Sequence, residues 1–131
     1  MSDVACYLFA SSGMDRAAQG VLGAARRLAD ATGGKLHAIV VGPANEDVSG
    51  GAAAVADAVA VVDHPALAEY NPELDLTALA DVCQKITPRA ILLGNDTYSQ
   101  ELAARLAHRL GGSAAGDAVN VSADGDTIRV T

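Results

Sequence analysis

Large aromatic side chains are scarce in this sequence. Its 131 residues include one Phe, three Tyr and no Trp, so the core has to be packed from Ala, Val, Leu and Ile. The hydrophobic fraction is 50% and the charged fraction 19%, which suits a globular chain. At this length one hydrophobic core suffices, and we expect a single domain over residues 1–131.

Basic side chains are also few. Nine Lys and Arg stand against 16 Asp and Glu, giving a formal net charge of −7, so a basic footprint for nucleic acid is not expected. No apolar run approaches the ~18 residues of a membrane span, and the first residues lack a basic stretch before the apolar one. We therefore expect no membrane insertion and a cytoplasmic location.

Cysteine and histidine are too sparse to suggest a metal or disulfide framework. Cys6 lies in an apolar run and Cys83 on the apolar stripe of a predicted helix, where both are interpreted as small buried hydrophobic residues. His37, His64 and His108 lack the spacing of metal ligands. The sequence predicts no metal site.

Short apolar runs alternate with stretches of helical periodicity. The runs predict buried strands at residues 4–10, 36–41, 58–62 and 90–93. The predicted helices are one from Asp15 to the Gly33-Gly34 pair, a weak one at 52–56, one from Pro72 to before Pro88, and one from Thr97 to before Gly111. In the last helix, Thr97 and Gln100 stand at capping-box spacing.

The chain ends in an apparent hairpin signal. Val119 and Val121 alternate into Asp124-Gly125, which predicts a two-residue turn that sets Val121 opposite Ile128. The fold class predicted from all elements is α/β, with a doubly wound, mostly parallel five-stranded sheet and an antiparallel edge strand. Ligands of such sheets bind at the carboxyl ends of the strands, here residues 10–15, 42–45, 63–65 and 94–98.

One candidate nucleotide-binding loop follows the first strand. The sequence has neither G-x-G-x-x-G nor G-x-x-x-x-G-K-[ST]. The stretch from Ser11 through Ser12 and Gly13 to Asp15 resembles the S-G-G-x-D-S loop of ATP pyrophosphatases, with Ser12 and Arg16 in place of Gly and Ser. A strand-to-helix turn capped by Asp15 explains the same residues.

A second candidate loop follows the fourth strand. Gly94, Asn95, Thr97 and Ser99 surround a helix N-terminus, which favours anions, whereas Asp96 would repel a phosphate and cap the helix instead. Asp63-His64-Pro65 is interpreted as a loop rather than an acid/base pair, since no nucleophile is predicted nearby.

Two longer segments carry a family resemblance. AVAVVDHPALAEYNPE and PRAILLGNDTYSQELAARLAHRLGGSAAGDAVNV resemble the N-terminal domain of the electron-transfer flavoprotein α subunit. The L-A-x-R-L-A rhythm of that family falls on Leu102, Ala103, Arg105, Leu106 and Ala107, and Asp117 stands where an acidic strand residue is expected. The resemblance spans essentially the whole chain.

The resemblance implies an assembly domain in an electron carrier. In that family an α/β heterodimer takes electrons from dehydrogenases through FAD and passes them to a quinone-linked acceptor. FAD is held mainly by a C-terminal domain of the α subunit, so no FAD-binding residue and no catalytic centre are expected in this chain. The resemblance also implies a Rossmann-type three-layer sandwich like that of the adenine-nucleotide alpha hydrolases, so an AMP- or ATP-binding protein, or an ATP-using enzyme, is the alternative.

Overall fold

The computed structural model describes residues 3–10, 13–43, 46–63, 72–86, 88–94, 97–110, 121–124 and 127–130. The main sheet is formed by β1 (Val4–Phe9), β2 (Leu36–Val41), β3 (Ala58–Val62) and β4 (Ala90–Leu92). Its order is β3-β2-β1-β4 and all three pairings are parallel. This confirms a doubly wound α/β fold. The four predicted parallel strands are present, and β1 and β4 each end one residue earlier than predicted.

Four helices cover the two faces of this sheet. They are α1 (Arg16–Thr32), α2 (Glu46–Ala53), α3 (Pro72–Ile86) and α4 (Thr97–Leu110). Cys6 and Leu8 of β1 pack with buried residues of α1 and α2. Ala5 and Tyr7 pack with buried residues of α3 and α4 on the other face. The alternation along β1 thus serves two cores, which is why β1 and β2 are nearly continuous apolar runs.

The ends of α1 follow the predicted signals. The Asp15 side chain accepts a hydrogen bond from the Ala18 N–H at 2.8 Å and caps the N-terminus. Gly33 closes the helix at φ +73°, a left-handed conformation that glycine adopts without strain, and its N–H returns to the carbonyl groups of Ala29 and Asp30. Asp15 and Gly33 therefore set the two ends of α1, the helix that connects β1 to β2.

The prediction for α2 was wrong in its bounds. The sequence predicts a weak helix at 52–56 after the glycine pair, whereas α2 runs through Gly50 and Gly51. Two glycines in a helix interior cost about 1 kcal/mol each relative to Ala. Val48 and Ala52 lie four residues apart on one helix face and are fully buried against the sheet. Their burial offsets the low helix propensity of the glycines.

The predicted fifth strand with an antiparallel edge was also wrong. Strands β5 (Val121–Asp124) and β6 (Thr127–Val130) pair only with each other within the described residues and form a separate two-stranded antiparallel ribbon. The ribbon lies against α1 through β5 rather than at the edge of the main sheet. Local turn chemistry predicts a hairpin, but it carries no information about which element the hairpin packs on.

The register of this hairpin differs from the predicted one. Val121 pairs with Val130, not with Ile128, so the pairing is shifted by two residues. The pair nearest the turn is Asp124 with Thr127, so Asp124 lies in the ladder and not in the predicted turn. A shift of two residues leaves the alternation of the strands unchanged, so the hydrophobic pattern does not discriminate between the two registers.

Both cysteines lie in the cores, as their positions predicted. Cys6 and Cys83 are buried free thiols. Burial raises the pKa of Cys6 to about 12 and that of Cys83 to about 11, which disfavours the reactive thiolate of either. Across the described ranges no group of His, Cys, Asp and Glu is arranged to hold a metal ion. None of the helices described there is long and apolar enough to cross a membrane.

Candidate functional site

A small open cleft lies at the carboxyl ends of β1 and β4. Because these strands are parallel neighbours, the loops that follow them meet at one edge of the sheet. Gly13 and Asp15 come from the first loop and its helix, and Gly94 and Ser99 from the second. The remaining described lining residues are Tyr7, Leu8, Phe9, Ala17, Ala18 and Val21. Both candidate nucleotide loops thus contribute to the same cleft.

The first loop is a tight turn built on a glycine. Gly13 has φ +73° and its N–H donates to the Ala10 carbonyl oxygen at 3.1 Å. The next polar group, the Asp15 carboxylate, accepts the Ala18 N–H of α1. Gln19 donates its side-chain amide to the Met14 carbonyl oxygen at 3.1 Å and ties the turn to the helix. The Asp15 carboxylate therefore already has a hydrogen-bond donor as the helix cap.

The second loop brings a buried hydroxyl to the cleft. Ser99 is the third residue of α4 and only 5% exposed. Gly94 lies opposite the first loop in the same lining. The other predicted residues, Ser11, Ser12 and Asn95, lie outside the described residues, as do the side chains of Thr97 and Gln100.

A buried tyrosine and carboxyl group connect the cleft to α3. The Tyr7 hydroxyl donates to Asp75 Oδ2 at 2.7 Å, and Asp75 is fully buried in the first turn of α3, where a helix stabilises negative charge. Neither residue was predicted as functional. A signal existed, because Asp75 stands four residues before Leu79 on the face predicted to be apolar, and Tyr7 interrupts an aliphatic strand.

The cleft is small for an organic ligand. Its volume is about 60 Å³, whereas ligand pockets typically span about 300–1,000 Å³. The polar residues in its described lining are Tyr7, Asp15 and Ser99. This space accommodates water or a small ion, and the described lining offers no cradle of nucleotide size.

Asp63 does not join this site. It follows β3 at the far edge of the sheet, is exposed, and does not line the cleft. His64 and Pro65, its partners in the predicted loop, lie outside the described residues.

The amino ends of the strands carry a different set of polar contacts. Asp3 Oδ1 accepts the Lys35 N–H at 3.0 Å, and its Oδ2 lies 3.0 Å from His37 Nε2. Asp57 Oδ2 accepts the Leu36 N–H at 2.8 Å. The bond from the Lys35 N–H, followed by that from His37, lowers the pKa of Asp3. Both carboxylates thus bond the backbone at the start of β2, Asp3 at the residue before the strand and Asp57 at its first residue.

An arginine of α1 completes these contacts. The Arg26 guanidinium lies 3.0 Å from Asp57 Oδ2 and 2.8 Å from Asp30 Oδ1, and it also donates to the Val55 carbonyl oxygen. The Leu36 N–H first, and Arg26 second, lower the pKa of Asp57. One side chain therefore joins α1 to the connection between α2 and β3.

Comparison with known proteins gives a consistent family. The electron transfer flavoprotein domain model matches residues 10–131. The chain is 36% identical over 91 residues to the electron transfer flavoprotein subunit alpha of Thermoanaerobacterium thermosaccharolyticum, covering 69% of this chain and 28% of that protein. It is 36% identical over 110 residues to the protein FixB of Azorhizobium caulinodans, covering 81% of this chain and 30% of that protein.

A third relative carries a different subunit name. The acryloyl-CoA reductase electron transfer subunit beta of Anaerotignum propionicum is 34% identical over 102 residues, covering 76% of this chain and 27% of that protein. The chain thus spans about three-tenths of the length of the curated relatives that it matches. Their complete activities therefore involve much more polypeptide than the segment shared here.

Proposed function

The chain belongs to the electron transfer flavoprotein domain family as an α-type N-terminal domain, and we propose that it serves assembly rather than chemistry. In this proposal it packs against a β subunit and supports a separate region that holds FAD. Electrons pass through that FAD from dehydrogenases to a quinone-linked acceptor. The family consists of electron carriers, so no substrate turnover is assigned to the chain.

The observation that carries this proposal is the extent of the match. The family model matches residues 10–131, and the alignments with the six relatives cover 69–82% of this chain but only 26–31% of each relative. Most of this chain therefore corresponds to a minor part of each relative. The cleft supports the same view, because about 60 Å³ is far less than a flavin or an adenosine occupies. We therefore expect FAD to be bound elsewhere in the complex.

The layered fold suits an assembly role. Both faces of β1 and β2 are buried under helices, so the domain presents helix surfaces and loops around a rigid sheet. A stable interface of standard size buries about 800 Å² per partner. An interface on the helix surfaces would leave both cores closed.

The direct test is assembly with a β subunit. The tagged chain is co-expressed with the β subunit of the same organism, with and without an α-type FAD domain, and complexes are separated by size-exclusion chromatography with light scattering. We expect a 1:1:1 complex that carries flavin absorbance, and no flavin on the chain alone. Absence of any complex even when the FAD domain is supplied contradicts the proposal. The expected cytoplasmic location is tested by fractionating cells that express the same tagged chain.

A second candidate function is favoured by one observation, the convergence of both candidate loops on a single cleft. In that case the chain binds AMP or ATP, or uses ATP, with Gly13, Asp15, Gly94 and Ser99 near the phosphates. Against it stand the small volume and the capping bond of Asp15. The assembly role is therefore preferred.

Thermal shifts with FAD, AMP and Mg-ATP separate the two candidates. A ligand at ~100 times its dissociation constant adds about 2.7 kcal/mol to the native state, which raises the melting midpoint of a domain of this size by several degrees. On the assembly role no ligand moves the midpoint. The second candidate replaces the first if Mg-ATP alone raises the midpoint and Asp15→Ala abolishes that rise. Asp15→Asn keeps the helix cap and should only weaken the rise.

A further inference from the structure

The helix α2 is the weaker of the two helices on its face of the sheet. It has eight residues, EDVSGGAA, and isolated helices of that length are marginal in water. Gly50 and Gly51 stand in its interior, where each is unfavourable relative to Ala. α2 buries only Val48 and Ala52, whereas the 17-residue α1 on the same face buries four side chains. The folded state of α2 therefore depends on two buried contacts.

Contacts on both sides of α2 hold the chain where this helix joins the sheet. Before α2, the Gly42 N–H donates to the Val62 carbonyl oxygen at 3.0 Å, and Gly42 has φ +136°, a value that glycine adopts freely. After α2, the Val55 carbonyl oxygen and the Asp57 carboxylate both accept from Arg26. These contacts use no residue of α2, so they persist when α2 leaves the sheet. The segment between them can open as a unit while the sheet and α1 stay intact.

α2 also touches the first cleft loop, which connects β1 to α1 and lines the cleft. A Cβ at Gly51 would come within 2.9 Å of Met14 Cε, so the Met14 side chain lies close against the backbone of α2. Met14 belongs to this loop and packs against the same core cluster as Val48. When α2 opens, the contact between Gly51 and Met14 is lost. The conformation of the first cleft loop is thereby coupled to that of α2.

We propose that α2 is a cover that opens locally, between Gly42 and Val55, while the rest of the domain stays folded. In the closed state, Val48 and Ala52 shield the apolar face of β2 and β3. In the open state that face is uncovered and Met14 is released, so the first cleft loop is free to move. The proposal does not depend on the assembly role above, because this chain alone carries every group involved.

Thiol labelling of the native domain distinguishes local opening from global unfolding. Ala52→Cys and Ala25→Cys place a thiol at two fully buried positions of one cluster, the first on α2 and the second on α1. An aromatic disulfide reagent should modify the thiol of Ala52→Cys about tenfold faster or more. That rate should also rise less steeply with urea, because local opening exposes less surface. The buried Cys6 reports global unfolding in the same samples. Equal rates at the two positions overturn the proposal.

A matched pair of glycine variants tests the same point through helix propensity. A Cβ at Gly50 of α2 or at Gly20 of α1 meets nothing within 4 Å. In the Ala52→Cys chain, Gly50→Ala should slow labelling about two- to fivefold, because Ala favours the helical state of α2. Gly20→Ala favours α1, which stays folded during the opening, and should leave this rate unchanged. If both variants slow labelling equally, the thiol is reached only by global unfolding and the proposal is wrong.

Met14→Ala tests the coupling to the first cleft loop. It removes a contact that exists only in the closed state, so labelling of Ala52→Cys should become several-fold faster. Tyr7→Phe is the control, because it disturbs a hydrogen bond on the opposite face of the sheet and should leave the labelling rate unchanged. An unchanged rate with Met14→Ala, or an equal increase with Tyr7→Phe, overturns the proposed coupling.

Hydrogen exchange followed by mass spectrometry tests the opening in the unsubstituted chain. The Ala54 and Ala56 N–H groups donate to the carbonyl oxygens of Gly50 and Ala52, so their protection depends on a folded α2. These amides should exchange about tenfold faster or more than those in the centre of α1. Equal protection of the two helices overturns the proposal without recourse to any variant.

Discussion

The two ends of the parallel strands are built in contrasting ways. At the amino ends, the carboxylates of Asp3 and Asp57 accept the N–H groups of Lys35 and Leu36, so side chains hold the start of β2 directly. At the carboxyl ends, a left-handed Gly13 turn and helix termini surround an open cleft. We call the contacts of Asp3 and Asp57 with the Lys35 and Leu36 N–H groups the amino-end clamp. The carboxyl ends are instead bordered by loops and helix termini.

This contrast assigns stability to the amino ends of the strands and freedom to change to the loops at their carboxyl ends. The polar bonds at the amino ends connect elements distant in sequence, for example Arg26 of α1 with Asp57 before β3. In contrast, the side-chain hydrogen bonds of Asp15 and Gln19 at the first cleft loop join residues three and five positions apart. Loops held only by local bonds can change without disturbing the fold, which is how open α/β sheets accommodate different ligands at their carboxyl ends.

The largest expected effect tests the buried contact that joins the carboxyl half of β1 to α3. Tyr7→Phe removes the hydroxyl that donates to the buried Asp75 at 2.7 Å. Loss of a hydrogen bond to a buried carboxyl group costs about 2 kcal/mol of unfolding free energy, measurable by urea denaturation. Asp75→Asn retains an acceptor for Tyr7 and should cost less. A Tyr7→Phe variant as stable as the parent would show that this buried hydrogen bond contributes no net stability.

The clamp and the cleft loop are compared directly by two alanine substitutions. Asp15→Ala removes the cap of α1 and costs about 1 kcal/mol. Asp57→Ala removes the bonds from the Leu36 N–H and from Arg26, and we expect a larger fall in melting temperature by calorimetry. Asp57→Asn, which can still accept the Leu36 N–H, should lie between Asp57→Ala and the parent. If Asp15→Ala is the more damaging variant, the assignment of stability to the amino end is wrong.

The clamp also predicts how stability depends on acid. The pKa values of Asp3 and Asp57 are lowered from 3.8, so each ionised carboxylate favours the folded state above that value and its contribution is lost as pH falls through the folded pKa. Urea midpoints should therefore fall as pH is lowered below about 4. The double variant Asp3→Asn, Asp57→Asn should show a shallower drop, with each single variant in between. An unchanged acid slope in the double variant contradicts the clamp.

Local patterns predicted the elements whose own residues decide their conformation. β2 and β3 are short aliphatic runs, and α1 starts at Asp15 and ends at Gly33, so chemistry within a few residues suffices. The sequence also placed both candidate loops at the carboxyl ends of predicted strands, and Gly13 and Gly94 line one cleft there.

Features that depend on distant partners could not be obtained this way. α2 runs through its glycines because Val48 and Ala52 are buried by the sheet, a contact that propensity does not contain. The Tyr7 and Asp75 pair joins residues 68 positions apart. The hairpin of β5 and β6 contacts α1 through β5, and the alternation of its residues does not predict which element it packs on.

The smallest expected effect tests how closely α2 approaches the first cleft loop. A Cβ at Gly50 meets nothing within 4 Å, so Gly50→Ala should raise the unfolding free energy by about 0.5–1 kcal/mol through helix propensity. A Cβ at Gly51 comes within 2.9 Å of Met14 Cε, and Met14 belongs to the turn between β1 and α1. Gly51→Ala should therefore gain less, because the methionine methyl group has to move. Chemical denaturation of the two variants gives the difference directly, and the combination Gly51→Ala with Met14→Ala removes the obstacle. If Gly51→Ala raises the unfolding free energy as much as Gly50→Ala does, Met14 moves aside at no measurable cost. The first cleft loop can then change its conformation as freely as its short-range hydrogen bonds indicate.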